Sequence, residues 1–263
     1  MRIIAITNQK GGVGKTTTVV NLAASLALRQ RRVLVVDLDP QANATMGSGI
    51  DKAHLEHSVY HVLIGQATAA QICQPSAHGG YDVLPANRDL GGAEIELVEL
   101  KSERELCLRK ALKPLLDHYD DVLIDCPPAL NLLTLNGLAA ADGVIVPMQC
   151  EYYALEGLSD LVNTLRKMRA ALNPHIEIIG LLRTLFDPRS TLSQQVSAQL
   201  IQHFRGKVFT TVIPRNIRLA EAPSYGMPAL VYDRAARGTL AYLALADELL
   251  AREQIVAPAV TSD

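Results

Sequence analysis

The first thirty residues contain the sequence's clearest chemical signal. Residues 3–7 form an apolar, β-branched run, and three glycines then fall between Gly11 and Gly14, directly before Lys15, Thr16 and Thr17. Glycines allow backbone N–H groups to approach phosphate oxygens closely, and a helix that begins here adds the positive end of its dipole. Lys15 would neutralise a phosphate, and the Thr16 hydroxyl would bind Mg²⁺. Phosphate contacts are therefore expected from Gly11, Gly12, Val13, Gly14, Lys15, Thr16 and Thr17.

This phosphate loop (residues 10–17) departs from the general pattern G-x-x-x-x-G-K-[ST] at two positions. Gln9 stands where the pattern has its first glycine, and Lys10 adds a second lysine at the loop's edge. Lys10 is open to two interpretations. It is either a solvated loop lysine or a cation that reaches phosphates bound by a second subunit.

Carboxylates end two further apolar runs. Asp37 and Asp39 follow residues 32–36, and Asp125 follows residues 122–124. Ligands bind at the carboxyl ends of strands in open α/β sheets, so these carboxylates should lie beside the phosphate loop. Side chains alternate along a strand, so only one of Asp37 and Asp39 is expected to face the ligand; Asp37 could equally be structural. Asp125 matches the Walker B carboxylate, which holds Mg²⁺, usually through a water.

The pattern around these residues predicts a doubly wound, mostly parallel sheet flanked by helices, an α/β fold of P-loop type. The predicted strands are residues 3–7, 32–36, 81–84, 122–124, 143–147 and 176–182. The predicted helices are residues 16–30, 103–118, 129–141, 155–172, 192–204 and 235–252. We expect one ATPase domain over residues 1–253 and a flexible tail over residues 254–263, where the periodicity is lost.

Composition narrows the possible functions. Of the 263 residues, 49% are hydrophobic, and 25 basic against 27 acidic residues give a net charge of −2, which excludes a globally basic nucleic-acid binder. The four cysteines form no CxxC pair, which argues against a disulfide framework or a zinc site and is typical of a reducing cytoplasm. The longest uncharged apolar stretch, residues 126–141, is 16 residues long and too short to span a bilayer.

Charge is nevertheless unevenly distributed. The basic segment (residues 183–218) has six basic residues and one acid, Asp187, a local charge of +5, and the compensating acids are expected elsewhere. A concentrated basic patch is typical of proteins that bind the phosphate backbone of nucleic acids, although a solvated surface with arginine stems on the core is the alternative. The six basic residues are Arg183, Arg189, Arg205, Lys207, Arg215 and Arg218.

The chain resembles the ParA/Soj family of chromosome- and plasmid-partitioning ATPases, which have a deviant Walker A motif. The matching segments are residues 8–17, 37–41, 92–97, 125–128, 149–157 and 213–223. The Lys-Gly-Gly-x-Gly-Lys-Thr spacing is specific, and the later segments are more specific to partitioning proteins than the loop is.

The resemblance implies a set of site residues. It implies that ATP and Mg²⁺ bind at the phosphate loop, with Lys15 and Lys10 catalytic and Lys10 acting across an ATP-sandwich dimer. Asp39 would position the attacking water and is a further candidate ligand of the metal, beside Thr16 and Asp125. Nucleotide contacts by resemblance are Glu151, in the segment that couples nucleotide to the dimer interface, and Pro214, Arg215 and Asn216 near the adenine. DNA contacts by resemblance are Arg189 and Arg218 and, more weakly, Lys207 and Arg205.

The function that the resemblance implies is DNA partitioning. An ATP-bound homodimer would bind double-stranded DNA non-specifically on the nucleoid, in the cytoplasm and without a membrane. A ParB-type centromere-binding protein would stimulate hydrolysis and so release it.

The nearest alternative is a ParA-like ATPase that positions a protein cargo. A MinD-like membrane-cycling ATPase would need a basic amphipathic helix where residues 248–258 are of mixed charge and end at Pro258. An iron–sulfur reductase ATPase would need cluster-ligating cysteines, and a metabolic P-loop enzyme would leave Lys10 unexplained.

Overall fold

The central strands are short apolar runs that are buried at almost every position. The computed structural model describes residues 1–100 and 102–256, and these form an eight-stranded sheet in the order β3-β4-β2-β5-β1-β6-β7-β8. Every strand pair is parallel except β3 with β4. The strands are β1 (Arg2–Ile6), β2 (Val33–Asp37), β3 (Gln74–Pro75), β4 (Asp82–Leu84), β5 (Asp121–Asp125), β6 (Gly143–Met148), β7 (Glu177–Phe186) and β8 (Val208–Pro214).

Helices cover both faces of the sheet. They are α1 (Lys15–Leu28), α2 (Asn43–Gly47), α3 (Val59–Leu63), α4 (Ala69–Ile72), α5 (Leu90–Glu99), α6 (Cys107–Leu112), α7 (Leu132–Ala140), α8 (Ala154–Ala171), α9 (Thr191–His203), α10 (Ile217–Glu221), α11 (Ala229–Tyr232) and α12 (Arg237–Val256), with 3₁₀ turns at Lys113–Leu115 and Ala222–Tyr225. None of the helices in residues 1–100 and 102–256 combines the length and the hydropathy that a bilayer crossing requires.

Alternate residues of each strand enter two different cores. In β1, Ile4 and Ile6 pack with α1 and α12, whereas Ile3 and Ala5 pack with α7 and α8 on the other face. Burial on both faces explains why these strands read as continuous apolar runs. The predicted α/β fold is confirmed, and the parallel order brings the ends of β1, β2 and β5 together at one edge.

The structure corrects several predicted elements. The predicted helix at residues 103–118 is wrong as one element, because Glu103 has a left-handed φ of 60° and α6 passes into a 3₁₀ turn that contains Pro114. The sequence pattern does not predict helices α2 to α5 or the edge strands β3 and β8, since they are short or only partly buried. Helix α12 continues to Val256, and residues 257–263 of the predicted tail lie outside the described residues.

Candidate functional site

The phosphate loop joins β1 to α1 through two left-handed glycines. Gly12 has φ 74° and Gly14 has φ 86°, conformations that L side chains rarely adopt. A Cβ atom added at Gly11 or at Gly12 would meet nothing within 4 Å, so this side of the loop faces open space. The loop therefore wraps around a cleft that a ligand can enter, as the sequence predicts.

Side chains from β7 and from the residue after β6 fix the loop's carbonyl groups. The Thr184 hydroxyl donates to the Val13 carbonyl at 2.7 Å, and the Gln149 amide donates to the Gly12 carbonyl at 3.3 Å. These bonds engage carbonyl oxygens that would otherwise repel a phosphate. Thr184 could not be predicted from the sequence, since nothing near it in the chain shows that β7 ends beside the loop.

Lys15 lies inside the cleft. Its side chain is buried, and its Nζ donates to the Lys10 carbonyl at 3.0 Å. Burial lowers the pKa of Lys15, whereas the nearby carboxylates of Asp125 and Asp39 act in the opposite direction. A desolvated ammonium group in this position favours a bound anion.

Lys10 points the other way, along the outer edge of the loop. Its side chain is 52% exposed and forms an ion pair with the carboxylate of Glu151, which is 50% exposed. Asn8 holds the loop here, accepting from the Lys10 backbone N–H at 3.0 Å and donating to the Pro147 carbonyl at 2.8 Å. The two lysines of the loop therefore serve different sides of it.

Thr16 and Asp125 form an oxygen-rich pair at the start of α1. The Thr16 hydroxyl donates to Oδ2 of Asp125 at 2.7 Å, while Oδ1 of the same carboxylate is buried and has no hydrogen-bond partner among the described residues. Burial, and then the neighbouring carboxylate of Asp37, raise the pKa of Asp125 well above its ordinary value. A buried, unpaired carboxylate oxygen beside a hydroxyl is a donor set that fits Mg²⁺, which binds oxygen ligands.

Asp37 and Asp39 have separate roles in the fold. Asp37 is completely buried and accepts from the Thr45 N–H at 2.8 Å, the Thr45 hydroxyl at 2.7 Å and the Asp39 N–H at 3.1 Å. Its carboxylate thus anchors the segment that leads into α2. Asp39 is half-buried and lines the cleft. Of the two interpretations left open for Asp37, the structure supports the structural one.

The cleft itself has a volume of about 380 Å³ and runs from the phosphate loop to α10 and α12. Asn216 lines its far end and also caps α10, accepting from the backbone N–H groups of Arg218 and Leu219. Pro214 lies instead in a neighbouring depression beside Phe186 and is not among the cleft's lining residues, nor is the exposed Arg215. The other residues that line the cleft are Gly11, Gly12, Gly14, Lys15, Thr16, Thr17, Asp39, Asn43, Pro128, Thr184, Leu185, Ile213, Leu219, Ala220 and Tyr242.

Arg183 does not belong to a surface patch, although the charge count of the basic segment includes it. Its guanidinium group is buried and donates to the Ser197 hydroxyl at 2.8 Å and to the carbonyls of Phe209 and Thr210 at 2.8 and 3.0 Å. It joins β7 to α9 and β8, and it is structural. The local charge of +5 therefore overstates the exposed charge by at least one.

Acids from outside the basic segment reduce its charge further. Lys207 pairs with Glu177 at 2.9 Å, and Arg218 pairs with both Glu221 and Asp233, at 2.8 and 3.3 Å. Arg189 pairs at 3.1 Å with Asp187, the acid that the charge count already includes. The expectation that the compensating acids lie elsewhere is wrong, because three of them lie directly against the basic side chains. Within the basic segment, two exposed arginines form no salt bridge with any described residue: Arg205 and Arg215.

Fold and cleft together define a P-loop nucleoside triphosphatase: a strand, a phosphate loop and a helix, with a threonine and a strand-end aspartate beside them. A protein-family model described as "AAA domain" matches residues 1–178. The chain is 53% identical to the sporulation initiation inhibitor protein Soj of Bacillus subtilis, over 95% of this chain and 98% of Soj. It is 49% identical to the chromosome partitioning protein ParA of Myxococcus xanthus, over 98% of this chain and 90% of that protein.

A solved structure supports the P-loop fold. The fold matches cobyrinic acid a,c-diamide synthase from Mycobacterium smegmatis, solved with an ATP analog and magnesium, with a TM-score of 0.84 and 39% identity over 97% of this chain and 96% of that one. The chain belongs to the Soj/ParA family of chromosome partitioning ATPases. It is an ATPase that uses ATP and Mg²⁺, and its role is in partitioning.

Proposed function

We propose that this ATPase is a two-state partition switch. With ATP it forms a homodimer that binds double-stranded DNA without sequence preference, and hydrolysis, stimulated by a ParB-type centromere-binding protein, releases it. The observation that carries this proposal is the opposite placement of the loop's two lysines. Lys15 is buried in the cleft of its own chain, whereas Lys10 lies on the exposed rim.

A lysine on the rim suits a role in trans. Lys10 has its charge at the surface, where a second copy facing the cleft would place its own nucleotide phosphates. Its present partner, Glu151, is half-exposed, and an exposed ion pair of this kind contributes no more than about 1 kcal/mol. Exchange of that carboxylate for a phosphate therefore costs little. Closure of the dimer then depends on the γ-phosphate, which is what a nucleotide switch requires.

Within each cleft, the chain's own residues divide the work. The phosphate loop and Lys15 bind and orient the phosphates, and Thr16 and Asp125 would hold Mg²⁺, the latter through a water. Mg²⁺ supplies charge neutralisation at the phosphate oxygens when it is bound. Asp39 lies on the cleft wall and orients the attacking water. Asn216 lies at the far end of the cleft, where the adenine contact is proposed.

DNA binding follows from the exposed basic side chains. Arg205 and Arg215 supply charge directly, and Arg189, Lys207 and Arg218 supply it when their exposed carboxylate partners give way to phosphates. A dimer doubles the number of contacts. Each phosphate contact releases counterions and so adds to both the affinity and its salt dependence. A dimer therefore binds DNA far more strongly than one chain does. The switch would consequently act on the nucleoid.

The experiment that tests the proposal uses Asp39→Ala, which binds ATP but should not hydrolyse it. Binding to random-sequence duplex DNA is measured with ATP, with ADP and without nucleotide, across a salt series. Binding only with ATP, weakened steeply by salt, is expected. The matched control is Asp39→Ala combined with Lys15→Ala, which should bind no DNA under any condition. Absence of DNA binding by Asp39→Ala with ATP at low salt would contradict the proposal.

A further inference from the structure

Helix α5 has an apolar outer face that nothing covers within the described residues. Its inner face is buried through Leu90, Ala93 and Leu97, as expected for an amphipathic helix. On the outside, Ile95 is 71% exposed and Val98 is 57% exposed. These two residues are three apart, so their side chains are neighbours on the helix surface. Contiguous exposed apolar side chains that are rimmed by polar residues are typical of interaction surfaces, whereas single exposed ones are not.

Acids surround this apolar pair. The stretch from residue 89 to residue 99 contains four acids and no base. Glu94 accepts a hydrogen bond from the Asn131 side chain, and Glu96 accepts one from the Tyr60 hydroxyl, which holds both carboxylates beside the helix. Glu99 is exposed. The surface therefore pairs an apolar centre with a negative rim.

The same helix is connected to the nucleotide cleft. Asn131, the residue that donates to Glu94, is also the N-cap of α7 and accepts from the Thr134 N–H at 3.0 Å. It follows Asp125 by a short loop, and Pro128 of that loop lines the cleft. One hydrogen bond thus separates α5 from the loop that directly follows the candidate metal ligand Asp125. A partner seated on α5 can bias that loop.

We propose that the outer face of α5 is a docking site for a basic amphipathic segment of a protein partner. Apolar side chains of the segment cover Ile95 and Val98, and its Lys or Arg side chains pair with the acids around them. The inference rests on the proposed function in one respect, that a partner protein acts on the ATPase cycle. It adds where on the chain that partner engages.

The charge pattern disfavours the other occupants. A second copy that met this face across a two-fold axis would set the same acids against one another. Nucleic acid and anionic lipid surfaces are negative as well, and would be repelled. A basic segment alone satisfies both the apolar centre and the acidic rim, with complementarity that also speeds association.

The direct test uses a short amphipathic helical peptide of Leu and Lys, with a Leu/Glu peptide of the same apolar pattern as its counterpart. Each fluorescent peptide is titrated with four proteins, and its binding is measured. The proteins are the wild type, the double variant Ile95→Ser/Val98→Ser, Glu99→Lys and Leu28→Ser. Leu28 is an exposed apolar residue on α1, 42% exposed, and is the matched control. All four proteins should unfold within about 0.5 kcal/mol of one another, because the changes are at the surface.

The Leu/Lys peptide should bind the wild type and Leu28→Ser equally and the double variant about tenfold more weakly. Glu99→Lys should also weaken it, and the Leu/Glu peptide should not bind. Equal binding of the Leu/Lys peptide to the wild type and the double variant would overturn the proposal, as would binding of the Leu/Glu peptide. A dimer in the absence of nucleotide that the double substitution abolishes would show that a second copy is the occupant instead, and would also overturn it.

A second readout separates this inference from the proposed function. The ATPase rate is measured with DNA and a ParB-type protein from the same cell. The double variant should keep its basal rate and its ATP-dependent DNA binding but lose the stimulation. If the variant is stimulated as the wild type is, α5 is not the site and the partition switch still stands. If the wild type itself is neither stimulated nor bound to DNA, both proposals fail.

Discussion

The phosphate loop and the basic segment are both conspicuous in the sequence, yet the structure treats them differently. In the loop, the residues that form the motif are neighbours in the chain, and the left-handed glycines and Lys15 lie where the motif predicts. In the basic segment, the partners come from elsewhere: Glu177 and Asp233 lie outside it and pair with its side chains. A motif defined by local backbone geometry can be recognised from consecutive residues. The net charge of a surface depends on every side chain that the fold brings there, including side chains distant in the sequence.

The largest effect is expected in the loop. Lys15→Ala should weaken ATP binding by more than about 100-fold, because a buried cation that pairs with phosphate contributes about 3 kcal/mol or more. Titration calorimetry with ATP·Mg²⁺ measures it. Lys10→Ala is the control and should retain binding, since its side chain lies on the rim. Equal losses in the two variants would remove the distinction between the lysines.

The next effect sharpens the contrast within the basic segment. Arg183→Ala should lower the free energy of unfolding by about 3 kcal/mol, because a buried carbonyl, a partly buried carbonyl and a buried hydroxyl lose their donor. Urea unfolding measures it, with the exposed Arg205→Ala as the control. If Arg183→Ala unfolded like the wild type but lost DNA affinity, Arg183 would be a DNA-binding residue, as the charge count along the sequence suggests, and not a structural one.

Stability of the nucleotide-free protein should also depend on Asp37. Burial raises the pKa of Asp37 from 3.8 to about 6, against the opposing Thr45 hydrogen bonds, so the folded state binds this proton more tightly than the unfolded state does. The contribution of Asp37 to stability is therefore full below about pH 4 and is lost as the pH rises through about 6. Asp37→Asn should flatten this fall in the free energy of unfolding. An unchanged pH dependence in the variant would mean that the buried Asp37 carboxyl is not its cause.

The smallest effect concerns a single phosphate contact. Arg205→Ala should weaken DNA binding by the ATP-bound protein only a few-fold and reduce the slope of log K against log salt by about 1. Fluorescence anisotropy across a salt series measures both quantities. A slope equal to that of the wild type would mean that this exposed arginine makes no contact with DNA.

The sequence was sufficient for the sheet's central strands and for the phosphate loop, because buried apolar runs and local glycine geometry leave few alternatives. It was insufficient for Thr184, which reaches the Val13 carbonyl from β7. The burial of Arg183 depends on β8, a half-buried edge strand without a clear pattern. The sequence identified residues 92–97 of α5 only as a segment that matches the family. It did not predict that Ile95 and Val98 are exposed, because exposure depends on which face of the helix packs against the core.

The central claim is that Lys10 acts on the nucleotide of a second copy. The most direct test mixes Lys10→Ala, which binds ATP but supplies no lysine, with Lys15→Ala, which supplies Lys10 but binds no ATP. Each variant alone should hydrolyse ATP at a background rate. In the mixture, the second variant's Lys10 completes the first variant's site, and the ATPase rate should rise well above the sum of the two. A mixture that is no more active than that sum would contradict the claim.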